Sequence, residues 1–294
     1  MRIEIERNGD IMEKQREQEP QKRQKLKKMQ AAQGEQDFER ETEAVRTLWE
    51  DELFQAKHAA AREIVVRLLR ELNGFYIVKT GHGFLRFVES RMKTPESICG
   101  KLVRKSYSVD FDTAVEKLND LSGVRCICYS VKEIYWVARQ IGNDARFTII
   151  KAKDYIRKPK KNGYESYHIV MDVPVSAQMI EEKLSGNLWN QPSVENSDKN
   201  GGKSPKQNSE KDSGKSGKHK SKKSPLQGEQ VVRVELQLRT MIMDAWAGMD
   251  NRVSYKREDE ISPEMTKRIE KYAKIGRRLD KLIQRTLEEE MHGA

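Results

Sequence analysis

Residues 231–240, VVRVELQLRT, constrain the fold more tightly than any other stretch of this chain. Val232, Val234, Leu236 and Leu238 alternate with Arg233, Glu235, Gln237 and Arg239. A period of two places the two sets on opposite faces of a strand. The apolar set needs a buried neighbour, so the chain must build a sheet with one face on a core. The other face either meets water or lines a cleft; spacing alone favours water.

The remaining elements follow from periodicity and punctuation. Val45, Trp49, Leu53, Ala56, Ala60, Ile64, Leu68 and Leu72 recur every three or four residues, which predicts one amphipathic helix from Phe38 to Leu72, closed by Asn73-Gly74. Residues 83–91 read as a strand. Thr94-Pro95-Glu96 supplies a cap, a proline at the first helical position and an early acid, and the helix it starts holds Ser97 and Lys101 one turn apart. A short helix over 110–119, a strand at 124–128, a helix over 131–142 and strands at 146–150 and 167–173 follow. The strand at 231–238 is expected to pair with 167–173. A helix from 240 to about 252 comes next, and Ser262-Pro263-Glu264 opens a long last helix striped by Met265, Ile269, Tyr272, Leu279 and Ile283.

Helices and strands interleave without a strict βαβ repeat. The expected architecture is therefore a single α/β (α+β) domain, a mixed, roughly five-stranded sheet flanked by helices. Three segments are expected: a flexible charged arm over 1–36, a domain over 37–260, and a C-terminal helix over 261–294 packing on the domain or on an oligomer interface. A low-complexity insert over 185–230, rich in Ser, Gly, Lys and Asn, interrupts the domain and is too poor in apolar groups to order itself. Within it Gly202-Lys203-Ser204 and Gly214-Lys215-Ser216 imitate the end of a phosphate-binding loop. Both lack the earlier glycine and the preceding strand that such a loop requires.

The net charge of +10 suggests nucleic acid until it is located. Residues 203–223 carry eight Lys and two acids, residues 1–32 carry nine basic and six acidic groups, and removing both leaves only +1. The basicity belongs to tail and insert, where weak contact with RNA or another anion through 203–223 is the expectation. The near-neutral remainder, without RNP-type aromatics, disfavours a dedicated RNA-binding module. Cys99, Cys126 and Cys128 cannot all pair, and Cys-x-Cys is not a metal-ligand spacing, so reduced thiols are expected. With no apolar run of membrane-spanning length and no signal-peptide core at the start, a soluble, cytoplasmic protein is expected.

The stretch KDYIRKPKKNGYESYH, Lys153 to His168, carries the strongest chemical signal. Six basic residues between Lys151 and Lys161 face one acid, Asp154, and an Asn162-Gly163 turn leads to Tyr164, Ser166 and His168 at alternating positions. Alternation predicts one strand face carrying all three. Cations beside an aromatic ring suit a ligand that combines phosphates with a flat base; a solvated basic loop is the plain alternative. Two carboxylates complete the candidates: Asp120 before a glycine at a strand start, and Glu235. In a cleft, such a pair holds magnesium, and one of them takes a proton from an attacking hydroxyl.

SRMKTPESICGK, NDLSGVRC, KDYIRKPKKNGYESYH and VELQLRT, followed by Trp246 and Tyr255-Lys256, resemble in order the synthetase domain of the RelA/SpoT family, above all the stand-alone small alarmone synthetases. The resemblance spans roughly Phe38 to Lys256 and implies a nucleotidyltransferase-like fold. It implies transfer of the β,γ-pyrophosphate of ATP to the 3′-hydroxyl of GDP or GTP, with release of AMP and Mg2+ as cofactor. By position it makes Asp120 and Glu235 metal ligands and Glu235 the base. Arg91, Lys93, Ser97, Lys101 and Arg125 become the grip on ATP, with Arg91 and Arg125 on either side of adenine. Lys153, Lys160, Tyr164, His168 and Gln237 fall around the guanosine substrate, Tyr164 stacking on guanine. Homotetramers built through terminal helices are usual in the family, which makes Phe38–Leu72 and Ile261–Met291 candidate contacts. Asp244, counted with the GDP/GTP-binding residues, stands where Asn or His is usual, its carboxylate expected to accept from guanine N1–H and the 2-amino group, and Asp250-Asn251 stands where Glu-His is usual. A catalytically weakened member that binds nucleotide or RNA as a regulator is the alternative these departures suggest. No His-Asp pair occurs, so synthesis without hydrolysis is expected.

Overall fold

The structure, a computed structural model, describes residues 34–185, 228–254 and 262–293. Nearly all of the expected arm and insert, both Gly-Lys-Ser sequences and Tyr255-Lys256 lie outside the described residues. In chain order the elements are α1 (34–49), α2 (Glu52–Thr80), β1 (Leu85–Met92), α3 (Pro95–Arg104), α4 (Phe111–Lys117), β2 (Ser122–Cys128) and α5 (Val131–Gly142). Then come β3 (Thr148–Asp154), β4 (Tyr167–Val175), α6 (Ala177–Ser185), β5 (Gln230–Thr240), α7 (Met241–Ser254) and α8 (Pro263–Gly293).

They form two compact units. The first joins 34–51 to 94–118. There Thr94 caps α3 by accepting from Ser97 N, with Pro95 following, and Asp110 caps α4 by accepting from Thr113 N. The second unit, 52–93 with the described residues from 119 onward, contains the sheet. Strand order is β1-β2-β5-β4-β3; β2 and β5 run parallel and every other pair is antiparallel. This is the mixed five-stranded sheet that the sequence predicts, with β5 at its centre pairing β4 as expected.

The alternation in β5 decides which face is buried. Val232, Val234, Leu236 and Leu238 join Val124, Cys126 and Cys128 of β2 and Ile169, Met171 and Val173 of β4 on the inner face. Ala60, Ala61, Val65 and Leu69 of α2 and Ile134, Val137 and Ile141 of α5 cover them. Small residues on α2 let that helix lie close to the sheet. Cys99, Cys126 and Cys128 are free and buried.

Three local expectations are corrected. The single helix over 38–72 is two, broken at 50–51, and α2 continues through Asn73-Gly74 to Thr80. Asn73 does not close it, because its Oδ1 accepts from Phe84 N and Leu85 N, 2.9 Å each, and so fastens the start of β1 to the helix. The extra turns bury Tyr76 edge-on against Phe84 and Trp136. The strand expected at 146–150 instead spans Thr148–Asp154, so Lys151 and Lys153 belong to a sheet edge, a position that suits lysine. Lastly, Tyr164 and Ser166 precede β4 rather than belonging to it. Ser166 is buried and donates to Leu238 O, so it does not share the face of His168.

Candidate active site

The outer face of the sheet is the one left by the polar residues of β5. Strand register sets Glu89, Arg125, Gln237, His168 and Lys153 in one row across all five strands. The next row contains Arg91, Gly123 and Glu235. Arg91, Gly123, Arg125 and Gln237 are among the walls of a small cleft on this face, and the glycine leaves the space between Arg91 and Glu235 free of a side chain.

Glu235 is enclosed by a closed ring of hydrogen bonds. His168 Nδ1 lies 3.0 Å from Oε1, and Gln237 Nε2 donates to Oε2 at 2.8 Å. Arg239 Nη2 donates to Gln237 Oε1 and to Tyr164 Oη, both at 2.8 Å, and Tyr164 Oη lies 2.8 Å from His168 Nε2. An ionised carboxylate only accepts, so Nδ1 carries hydrogen toward Glu235 and the phenol donates to Nε2 when the imidazole is neutral. Burial by itself pushes the Glu235 carboxyl up. The His168 and Gln237 hydrogen bonds outweigh it and hold the group below its usual range, although the charge of Asp120 acts in the opposite direction.

Asp120 stands just before β2 with Lys93 Nζ 3.1 Å from its Oδ2. Both of its neighbouring backbones are pinned, since Lys93 N donates to Leu121 O at 2.8 Å. Arg125 Nη1 is 3.5 Å from Glu89 and from Asp244 Oδ1. Burial and then the charge of Arg239 pull the Arg125 guanidinium below its ordinary value, while Asp244 and Glu89 oppose them. Asp244, one turn into α7, also holds Arg239 Nη1 at 2.9 Å. Its Oδ1 therefore serves two arginines, and any recognition of guanine by this residue falls to Oδ2.

The loop between β3 and β4 carries the aromatic part of the site. Lys160 Nζ lies 4.3 Å from the centroid of the Tyr164 ring and 5.0 Å from that of Tyr155, and the Arg239 guanidinium is 5.3 Å from Tyr164. Lys153 reaches the Tyr155 ring at 5.7 Å. Gly163 makes the turn possible. Its φ is +91°, and a Cβ there would lie 2.4 Å from the Ala273 Cβ of α8. Trp246 of α7, bonded through Nε1 to Ile269 O, backs the loop beside Tyr164.

The structure thus gathers Asp120, Lys93, Arg91, Arg125, Lys153, Lys160, Tyr164, His168, Glu235, Gln237 and Asp244 on or beside one sheet face. Ser97 and Lys101 belong to α3 of the other unit and take no part in the ring. Two members went unrecognised in the sequence. Arg239 shares the polar phase of Glu235 and Gln237, a signal that was present; Tyr155 had none beyond its place in the basic stretch.

Residues 90–185 match a family described as "Region found in RelA / SpoT proteins". The chain is 28% identical over 200 residues to the GTP pyrophosphokinase YwaC of Bacillus subtilis, covering 68% of this chain and 72% of that protein. It is 25% identical over 221 residues to the GTP pyrophosphokinase YjbM of the same organism, covering 75% and 80%. Its fold matches that of small alarmone synthetase 1 from Bacillus subtilis, solved with its product pppGpp, at a TM-score of 0.57 and 24% identity over 79% of this chain and 94% of that one. Residues 90–185 thus form the region found in RelA / SpoT proteins, and the chain is similar across most of its length to GTP pyrophosphokinases and to small alarmone synthetases.

Proposed function

We propose that this protein is a guanosine tetra- and pentaphosphate synthetase, moving the β,γ-pyrophosphate of ATP to the 3′-hydroxyl of GDP or GTP and releasing AMP. The carrying observation is the ring around Glu235: a carboxylate kept ionised and fixed in place by His168 and Gln237. Such a group accepts the proton of a ribose hydroxyl, a contribution of roughly 10²–10⁴-fold. The relatives named GTP pyrophosphokinases support the same reading.

The other residues fall into place around that step. Arg91 and Arg125 grip ATP at the cleft, with the planar guanidinium groups against adenine. Lys93 takes phosphate oxygens; for Ser97 and Lys101 of α3, the motif resemblance alone supports a role with ATP. Tyr164 stacks on guanine, while Lys160 and Lys153 leave the aromatic rings for the phosphates of the guanosine substrate. Asp120 and Glu235 offer the hard, anionic oxygens that Mg2+ prefers, and one or two carboxylates with substrate phosphates complete its usual shell. When bound, the ion offsets charge on the transferring oxygens. Lys93 holds the Asp120 carboxylate in position for it.

Tyr272, Ile275, Leu279 and Leu282 form an exposed apolar stripe on α8 at coiled-coil spacing, which supports self-association into a homo-oligomer. Among the described residues no helix is long and apolar enough to cross a membrane. Substrates drawn from the ATP and GTP pools support a cytoplasmic location, and without a His-Asp pair we infer synthesis without hydrolysis. The deciding experiment incubates the full chain with Mg2+, labelled ATP and GDP or GTP, followed by chromatography. Formation of AMP together with a 3′-pyrophosphorylated guanosine is the expected result; ATP left intact, or AMP without that product, rejects the reading.

A further inference from the structure

A cavity of about 470 Å³ opens beside α8 and shares no residue with the Glu235 ring. Its volume falls within the range of small-molecule sites. Two buried carboxyls form its floor: Glu165, 6% exposed, and Asp280, 4% exposed. Asp280 Oδ2 accepts from Thr240 Oγ1 at 3.0 Å, while Oδ1 is buried with no hydrogen-bond partner among the described residues. Arg277 Nε is 3.6 Å from Glu165 Oε1.

Placing two carboxyls together away from water is unfavourable unless positive charge or donors meet them. Arg277 and the more distant Lys281 serve Glu165 alone; nothing serves Asp280 Oδ1. Burial accordingly pushes Glu165 up to about 7 and Asp280 up to about 6. The rim carries two cations against one carboxylate, Glu288, which Lys132 meets at 3.3 Å. Lys281 and Arg285 stand one turn apart on α8, both exposed. Val131, Ile156 and Met243 supply an apolar wall. Acid below, cation above and an apolar side describe a ligand with a cationic end, an anionic end and an apolar body.

We propose that this cavity binds a small zwitterion of the α-amino-acid class, with its ammonium at the Glu165 and Asp280 end, its carboxylate on Lys281 and Arg285, and an apolar side chain against Val131, Ile156 and Met243. Glu165 directly follows Tyr164 in the chain, so an occupied cavity steadies the loop that presents the base-stacking ring. That consequence rests on the proposed activity; the binding does not.

Calorimetry on the full chain at neutral pH tests the binding directly. L-Methionine is compared with 3-(methylthio)propylamine, which lacks the carboxylate, and with N-acetyl-L-methionine, which lacks the ammonium. The expected result is binding of methionine, with each one-ended analogue at least tenfold weaker. Asp280→Asn and, separately, the exposed pair Lys281→Ala/Arg285→Ala should each weaken methionine at least tenfold and leave the unliganded synthetic rate unchanged. The surface pair keeps the test valid if the Asp280 variant folds poorly. No heat with methionine or with any other apolar amino acid at millimolar concentration overturns the proposal. So does binding that is indifferent to the surface pair, or an N-acetyl derivative that binds as well as the parent.

Discussion

His168 and Glu235, 67 residues apart in sequence, face each other at 3.0 Å across adjacent antiparallel strands. The contact makes the carboxylate a fixed acceptor before any substrate arrives. Tyr164 Oη, 2.8 Å from both His168 Nε2 and Arg239 Nη2, anchors the far side of the imidazole and so fixes the ring that faces the carboxylate.

Glu235→Gln keeps the size of the side chain and removes the base. Turnover should fall by about 10²–10⁴-fold while ATP affinity and the thermal midpoint change little. Single-turnover rates with saturating nucleotides check this, and activity within tenfold of the parent would contradict the role.

Tyr164 does two jobs that two substitutions separate. Tyr164→Ala removes the stacking surface and should raise KM for GDP and GTP about 5–150-fold, the equivalent of about 1–3 kcal/mol. Tyr164→Phe keeps the ring but removes the oxygen shared by Arg239 and His168, so kcat should fall with KM nearly unchanged. A Phe variant kinetically equal to the parent would show that the closed ring has no catalytic effect.

The sheet and much of this site were legible because they are written in short-range alternation. Glu235, Gln237 and Arg239 share a phase, and the apolar phase between them fixes which way they point. The helix boundary at Asn73-Gly74 misled because the side chain that would stop a helix is used at long range, on Phe84 and Leu85. The same holds for Ser166, whose partner is a carbonyl 72 residues away. The occupation of Asp244 by Arg125 and Arg239 depends on three elements meeting, which no local pattern encodes. The cavity beside α8 was illegible for the same reason: Glu165 and Asp280 read as ordinary charged residues until the helix packs over the loop.

Arg239 is the most deeply buried cation of the site, its side chain 5% exposed, and its fork serves Asp244, Tyr164 and Gln237 together. Arg239→Lys offers one ammonium where two nitrogens are used and should cost about 2–3 kcal/mol of stability. Urea midpoints measure it; a loss below about 0.5 kcal/mol would mean that the network adapts to lysine.

Gly163→Ala sets a Cβ 2.4 Å from that of Ala273 in a backbone conformation that alanine rarely adopts. A loss of roughly 2–4 kcal/mol is expected. Ala273→Gly added to it should recover the steric part and leave the φ penalty, about 1 kcal/mol. Additive effects of the two changes would show that the contact is not the cause.

The two acids under α8 predict an unusual pH dependence of stability. Glu165 is pushed up from 4.5 to about 7, by burial first, with Arg277 and Lys281 opposing and Asp280 adding. Asp280 is pushed up from 3.8 to about 6 by burial, with the Thr240 hydrogen bond opposing. Both folded-state values exceed the unfolded ones, so between about pH 4 and pH 7 the folded chain binds more protons than the unfolded chain, and stability falls as pH rises. The loss is complete above about pH 7 and amounts to about 3 kcal/mol for each group at most. Glu235, held below 4.5, acts in the reverse sense, and only under acid conditions. Urea midpoints from about pH 5 to about pH 8 should therefore decline, and Glu165→Gln should flatten the decline above about pH 6. A parent protein equally stable across that range would show that water or a counter-charge reaches these carboxyls.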